Sequence, residues 1–119
     1  MTAAADVGYG FRSEYKLRKT DEFSSVFAFR RALRNRYFVV NHCPNSGSTA
    51  RLGVVVAKKL VKASPHRNLI KRVVRESFRM ARAGLPCKDL VVRVVERMDK
   101  PDRAVLRAEI DDLLARLVK

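Results

Sequence analysis

Between Lys58 and Arg82 the sequence carries nine lysines and arginines and a single acid, Glu76. Cationic side chains at that density, with no carboxylates to offset them, are suited to binding phosphate. Their spacing sorts them. On a helix turning about 100° per residue, Arg67, Lys71, Arg82, Arg75, Asn68, Arg79 and Arg72 fall on one continuous arc. Leu69, Met80, Val73, Ser77, Ile70, Ala81 and Val74 fall on the other, with Phe78 at the edge between them. A merely solvated helix would interleave acids at i,i+4 to relieve the repulsion; here Glu76 stands off the basic arc. Arginine outnumbers lysine on that face, and its planar fork grips phosphate bidentately and stacks on bases. Lys58 and Lys59, with Lys62 just beyond, precede the helix. A lysine pair at a strand end can be simple edge protection, but in this position it extends the same positive field.

Other constellations carry less. Cys43 and Cys87 have neither a CxxC nor a zinc-ligand spacing, and with His42 and His66 they read as two reduced thiols and two unconnected imidazoles. A metal-dependent nuclease would need clustered carboxylates. The densest acids, Glu109, Asp111 and Asp112, sit on the final helix and read as its solvated face. His42 and His66 have no evident third group to orient them as an acid/base pair.

The whole chain fits this emphasis on charge. Its 119 residues suit one domain spanning 1–119, and 47% hydrophobic content suffices for a core. Lys plus Arg number 26 against 12 Asp plus Glu, a net charge of +14, which calls for a polyanionic partner. Residues 99–119 hold five acids and five bases, so the excess lies upstream of them. No apolar run is long enough to span a bilayer, and the N-terminus lacks the features of a secretory signal. The expected setting is the cytoplasm, with no membrane partner. The basic helix lacks the tryptophans of a membrane-surface helix, and its apolar side is better used against a sheet.

The elements that must position the basic helix follow from periodicity and punctuation. Residues 1 to 10 are expected as a loose tail. Thr20 opens a short amphipathic helix over 21–30 that carries Phe23, Val26 and Phe27. Tyr37 to Val40 and Leu52 to Ala57 are strand-like and look like a hairpin across the turn-rich Pro44–Ser48. Ser64 and Pro65 are expected to cap and open the basic helix, which runs to about Ala83 before Gly84 and Pro86. Leu90 to Val95 is the third strand. Pro101 opens a last helix with the stripe Leu106, Ile110, Leu113, Leu114, Leu117. The order α-β-β-α-β-α predicts an α+β fold, a two-layer sandwich with a small mixed sheet.

Two segments make the reading more specific. Arg51 to Lys59 (RLGVVVAKK), followed by Arg67 to Glu76 (RNLIKRVVRE), resembles the signature of the bacterial ribonuclease P protein subunit, whose hallmark is an Arg-Asn-Arg helix after a strand ending in Lys-Lys. The resemblance extends to Glu22–Phe27, Asn35–Phe38 and Asp89–Val95, and covers most of residues 15 to 118 in order. One position departs. Leu69 stands where the hallmark has its second arginine, on the apolar side of the wheel, so nothing is carried over to it.

The resemblance implies that a large catalytic RNA, with Mg2+, removes the 5′ leader of precursor tRNA. The protein would be an accessory subunit with no catalytic residue or cofactor of its own, monomeric when free and present once per RNA. It implies RNA docking through Arg67, Asn68, Lys71, Arg72, Arg75 and Arg79, with Lys58 and Lys59. It also implies a leader cleft between the first helix and the sheet, lined by Phe23, Phe27, Tyr37 and Phe38. From the residues alone, Phe23 and Phe27 read as core. The family fold, shared with a domain of a ribosomal protein, places a left-handed β-α-β crossover around the basic helix, against the general right-handed rule. A ribosomal or ribosome-assembly protein would share the charge, the size and the basic helix. Only the ordered motif set separates the two.

Overall fold

The computed structural model describes Leu17 and residues 20–118 except Ser46 and Ser48; the expected tail over residues 1 to 10 lies outside them. Helix α1 (Thr20–Ala28) leads into strand β1 (Arg31–Arg34), followed by β2 (Phe38–Pro44), β3 (Arg51–Val55), helix α2 (Ser64–Ala81), β4 (Lys88–Val94) and helix α3 (Arg103–Val118). A 3-10 turn, Arg82–Gly84, follows α2. The sheet order is β1-β2-β4-β3. β2 is antiparallel to β1 and β4, and β3 is parallel to β4, so the sheet is mixed as expected and α2 forms the β-α-β crossover.

The expected hairpin between the Tyr37 and Leu52 runs does not form, because β4 lies between β2 and β3. β2 is buried along both faces as far as Cys43, and Leu90 to Val92 of β4 are buried without a break. Strands apolar on both sides belong in the interior of a sheet. The hairpin partner of β2 is instead β1, four residues of sequence RALR. Asn35 makes the turn: its Oδ1 accepts from the backbone N–H of Tyr37 and Phe38 at 3.2 and 3.1 Å. Its Nδ2 donates to the carbonyl of Glu109 at 3.0 Å, which ties the turn to α3.

Strand parity divides the core. Phe38, Val40, Leu52, Leu90, Val92 and Val94 face α2 and α3, and pack with Ile70, Val73, Val74 and Phe78 and with the Leu106-to-Leu117 stripe. On the other face a smaller cluster of Leu17, Val26, Cys43 and Val91, with Phe23 against it, seats α1. A partial third layer thus completes the sheet-and-helix sandwich. A Cβ at Gly53 would stand 2.5 Å from the Phe23 ring, so this close approach of α1 requires the glycine.

The helix boundaries shift for local reasons. Ala63, not Ser64, is the N-cap of α2, with no side-chain cap bond. Asp102 caps α3, its Oδ1 accepting from Ala104 and Val105 at 2.9 and 3.1 Å.

His42 is 9% exposed on the α2–α3 face, 3.5 Å from Lys88 Nζ. Burial, and then the charges of Lys88 and Arg31, hold its pKa below 6.5. The unfolded chain therefore takes up a proton that the folded chain refuses, and stability falls as pH drops from about 6.5 toward the folded pKa. Urea titrations over that window are expected to show a shallower acid loss for His42→Gln than for wild type.

Candidate nucleic-acid interface

α2 turns its apolar arc inward as periodicity predicts. Ile70, Val73, Val74, Ser77 and Phe78 are buried, and Leu69 is half-buried against the core. Phe78, expected at the edge, is enclosed, while Met80, expected on the apolar side, is 52% exposed. Met80 lines an open groove between α2 and α3 with Ala81, Leu114 and Ala115.

The basic face is brought together as a surface. A groove along α2 is lined by Asn68, Lys71, Arg72, Arg75, Glu76 and Arg79. Arg67, Lys71, Arg75 and Arg79 follow one another at intervals of four residues, a like-charge row that weakens an isolated helix. Arg72 and Arg75 are exposed, and among the described residues neither forms an ion pair. Arg79 Nε is buried without a hydrogen-bond partner in the described structure, a donor that an anionic oxygen would satisfy. Arg67 differs from its neighbours. Its Nη1 donates to the carbonyls of Val61 and Lys62 at 3.0 and 2.7 Å, and so fixes the loop that presents the exposed Lys58, Lys59 and Lys62.

Glu76 does not neutralise this face. It accepts from Arg107 Nη1 at 2.6 Å and Arg103 Nη2 at 3.1 Å, both on α3. Arg107 also pairs with Asp111 at 3.1 Å, and Arg116 with Asp112 at 2.8 Å. The Ser77 hydroxyl donates to Asp111. The carboxylates Asp111 and Asp112 that a nuclease would need are thus engaged with arginines. Among the described residues no group of three or more His, Cys, Asp or Glu could hold a metal ion. The arginines of α3 are matched by acids and those of α2 are not, which sets α2 apart as a docking face.

The opposite face of the sheet carries a second feature. Phe23 is half-buried over Gly53, and Phe27 is 38% exposed beside it. The Arg93 guanidinium lies 5.5 Å from the centre of the Phe27 ring, and its Nε donates to Asn41 Oδ1 at 3.3 Å. Val55, also exposed, pairs with Arg93 in the sheet. An aromatic ring stacked with arginine over an apolar floor suits an unstacked base and its phosphate. Arg93 is the residue that periodicity does not flag. Its signal is the single cation in the otherwise apolar run from Leu90 to Val95.

Tyr37 and Phe38 are not part of this groove. Phe38 is fully buried in the α2–α3 core and Tyr37 packs against that same core, with Arg36 stacked on its ring at 5.1 Å. The turn at Asn35 delivers both side chains to the helix side of the sheet, which corrects their expected place in the cleft.

The family model for ribonuclease P matches residues 11–118. This chain belongs to the ribonuclease P protein family. It is 52% identical over 117 residues to the ribonuclease P protein component of Azoarcus sp., with 98% of each chain covered. It is 50% identical to that of Aromatoleum aromaticum, again with 98% of each covered. Among solved structures, the Staphylococcus aureus RNase P protein superposes with a TM-score of 0.80 at 28% identity, over 88% of this chain and 98% of that one. The Thermotoga maritima RNase P protein gives 0.73 at 35% identity, over 85% and 96%. The fold of this ribonuclease P protein is therefore that of its bacterial relatives, four strands and three helices included. Among the described residues no helix is long and apolar enough to cross a membrane.

Proposed function

We propose that this ribonuclease P protein docks on the RNA subunit through the outward face of α2 and holds the 5′ leader of precursor tRNA in the groove between α1 and the sheet. The two sites lie on opposite faces of one sheet, so a single domain joins two RNA segments without competition between them. Hydrolysis of the phosphodiester belongs to the RNA with its Mg2+. The protein contributes position and charge neutralisation, and one protein serves one RNA in the cytoplasm. The observation that carries this reading is the contrast between the unpaired arginines of α2 and the ion-paired arginines of α3. Folded RNA is recognised through its phosphates and unstacked bases by aromatic and guanidinium planes, and the two faces divide these tasks.

The test is reconstitution. Precursor tRNA is incubated at low Mg2+ with a bacterial ribonuclease P RNA, with and without the protein, and the 5′ product is followed. Cleavage at the mature 5′ end is expected to depend on both components, with no cleavage by protein alone. Tight RNA binding without stimulation at any Mg2+ concentration would overturn the reading in favour of a ribosomal type of RNA contact.

A further inference from the structure

We propose that the open edge of the sheet, Phe29, Arg30 and Arg34, is a further RNA-binding surface that takes the single-stranded leader as it leaves the α1 groove. The proposal rests on the leader reading above and extends it to a part of the molecule outside both sites.

β1 is the outer strand, and residues 29 to 36 hold five arginine-or-aromatic positions in FRRALRNR with no acid among them. Arg30, Arg31 and Arg34 are exposed, and among the described residues none of them forms an ion pair. The same protein matches Arg51, Arg103, Arg107 and Arg116 with carboxylates, so unpaired arginines occur where a surface is otherwise left open to an anion. The β1 edge and β3 are separated by two strands, about 14 Å at 4.8 Å per step, which exceeds the Debye length of about 8 Å at physiological salt. The edge is therefore an electrostatic site separate from the basic helix, which packs on the opposite face of the sheet against β3.

Three observations select a single strand as the occupant. First, Phe29 is 48% exposed directly before Arg30 and Arg31, and an aromatic among arginines is a stacking platform for unpaired bases. Second, the edge adjoins the groove in the sheet: Arg34 pairs with Val39, Val39 with Arg93, and Arg93 with Val55, so all four share one row on the α1 face, with Val39 buried between the exposed Arg34 and the half-buried Arg93. A strand leaving Val55, Arg93 and Phe27 reaches Arg34 by passing the exposed Phe29 and Arg30, over the covered Val39. Third, Arg30 has φ of 60° in the tight turn after α1, where its N–H bonds the carbonyl of Phe27 at 3.2 Å. Glycine or asparagine is the ordinary choice for that left-handed position. An arginine there keeps a strained backbone and places a cation beside Phe29.

Edge protection is the competing explanation for the charge, since short charged edge strands resist aggregation. The experiment separates the two. Holoenzyme is reconstituted with wild-type protein or with the Arg30→Gly/Arg34→Glu variant. Binding is then measured to precursor tRNAs whose leaders are lengthened one nucleotide at a time. Glycine suits the backbone at position 30, and glutamate keeps the edge charged, so folding and solubility are retained. Wild-type affinity is expected to keep rising after the groove is filled. The variant is expected to stop gaining at that length, with a long-leader salt slope lower by about 1.4, two contacts at 0.7 each. Its affinity for the shortest leader and for the RNA subunit alone should match wild type. A loss on the RNA subunit alone would overturn the proposal and assign the edge to that RNA. No loss at any length would reduce the arginines to edge protection. A wild-type affinity indifferent to leader length would instead remove the leader reading itself.

Discussion

Replacing Arg72 and Arg75 together by alanine is expected to weaken binding to the RNA subunit by about two orders of magnitude while leaving the protein slightly more stable. Both side chains are exposed on the groove face of α2. A charge-assisted hydrogen bond contributes about 1.5 kcal/mol or more, roughly tenfold in affinity for each arginine. Each phosphate contact also releases counterions, so the log–log dependence of affinity on salt should flatten by about 1.4 to 1.8 for the two. The stability effect has the opposite sign. Arg75 stands four residues from both Lys71 and Arg79, and like-charge pairs at that spacing cost a few tenths of a kcal/mol each. Alanine removes them and has the highest helix propensity. A gain of about 0.5 kcal/mol in urea unfolding, beside the loss in a filter-binding salt titration, separates a docking face from a folding role. Arg116→Ala is the control. Its guanidinium is already committed to Asp112 at 2.8 Å, so RNA affinity should barely move. An equal loss per charge removed, so that Arg116→Ala costs half as many orders of magnitude as the double variant, would mean that net charge alone, and not the α2 face, binds the RNA.

What could be read in the sequence was local and periodic. The two arcs of α2 follow from one angular step, and Ile70, Val73, Val74 and Ser77 are buried where that step puts them. The α3 stripe from Leu106 to Leu117 is buried in full. The edges of those arcs were not legible, since Phe78 and Met80 are decided by where α3 lies and not by α2 itself. β1 has no strand signature: RALR offers no β-branched residue, and only the Asn35 turn and its pairing to β2 make it a strand. Strand order is a long-range choice. β4 enters between β2 and β3 because its apolar run needs neighbours on both sides, which adjacency in sequence hides. At the site, the basic face was legible from type and spacing, but its freedom from Glu76 depends on Arg103 and Arg107, about thirty residues away. The Arg93–Phe27 stack likewise joins residues that share no local pattern, and the same turn that creates β1 sends Tyr37 and Phe38 to the opposite side.

Asp89→Ala is expected to produce the largest loss of stability outside the hydrophobic core, about 3 kcal/mol in chemical denaturation. The Asp89 side chain is 8% exposed and Arg51's 31%. Arg51 Nη2 and Nε donate to its two oxygens at 2.7 and 2.8 Å, and Asn45 Nδ2 donates at 2.8 Å. Removing one member of a buried pair leaves the other uncompensated, at a cost of about 3 to 5 kcal/mol. The lower end applies because Arg51 retains contact with solvent. The three residues hold the starts of β3 and β4 to the loop after β2, so their loss frees that loop at the sheet end away from Lys58 and the start of α2. A second readout comes from Cys43. Burial raises its thiol pKa, Asp89 raises it further, and Arg51 works against them. Without Asp89 the arginine acts alone, and the thiolate should form at lower pH. In a Cys87→Ser background, which removes the exposed thiol, the pH midpoint for alkylation of Cys43 should move down in Asp89→Ala. An increase in rate with an unmoved midpoint would mean that the loop had only opened. Asp89→Asn retains a partner for Arg51 and Asn45 without the charge, and should recover part of the stability while keeping the lowered midpoint. RNA docking through α2 should persist in both variants under conditions where they are folded, because the pair lies at the far end of the strands from the start of the helix.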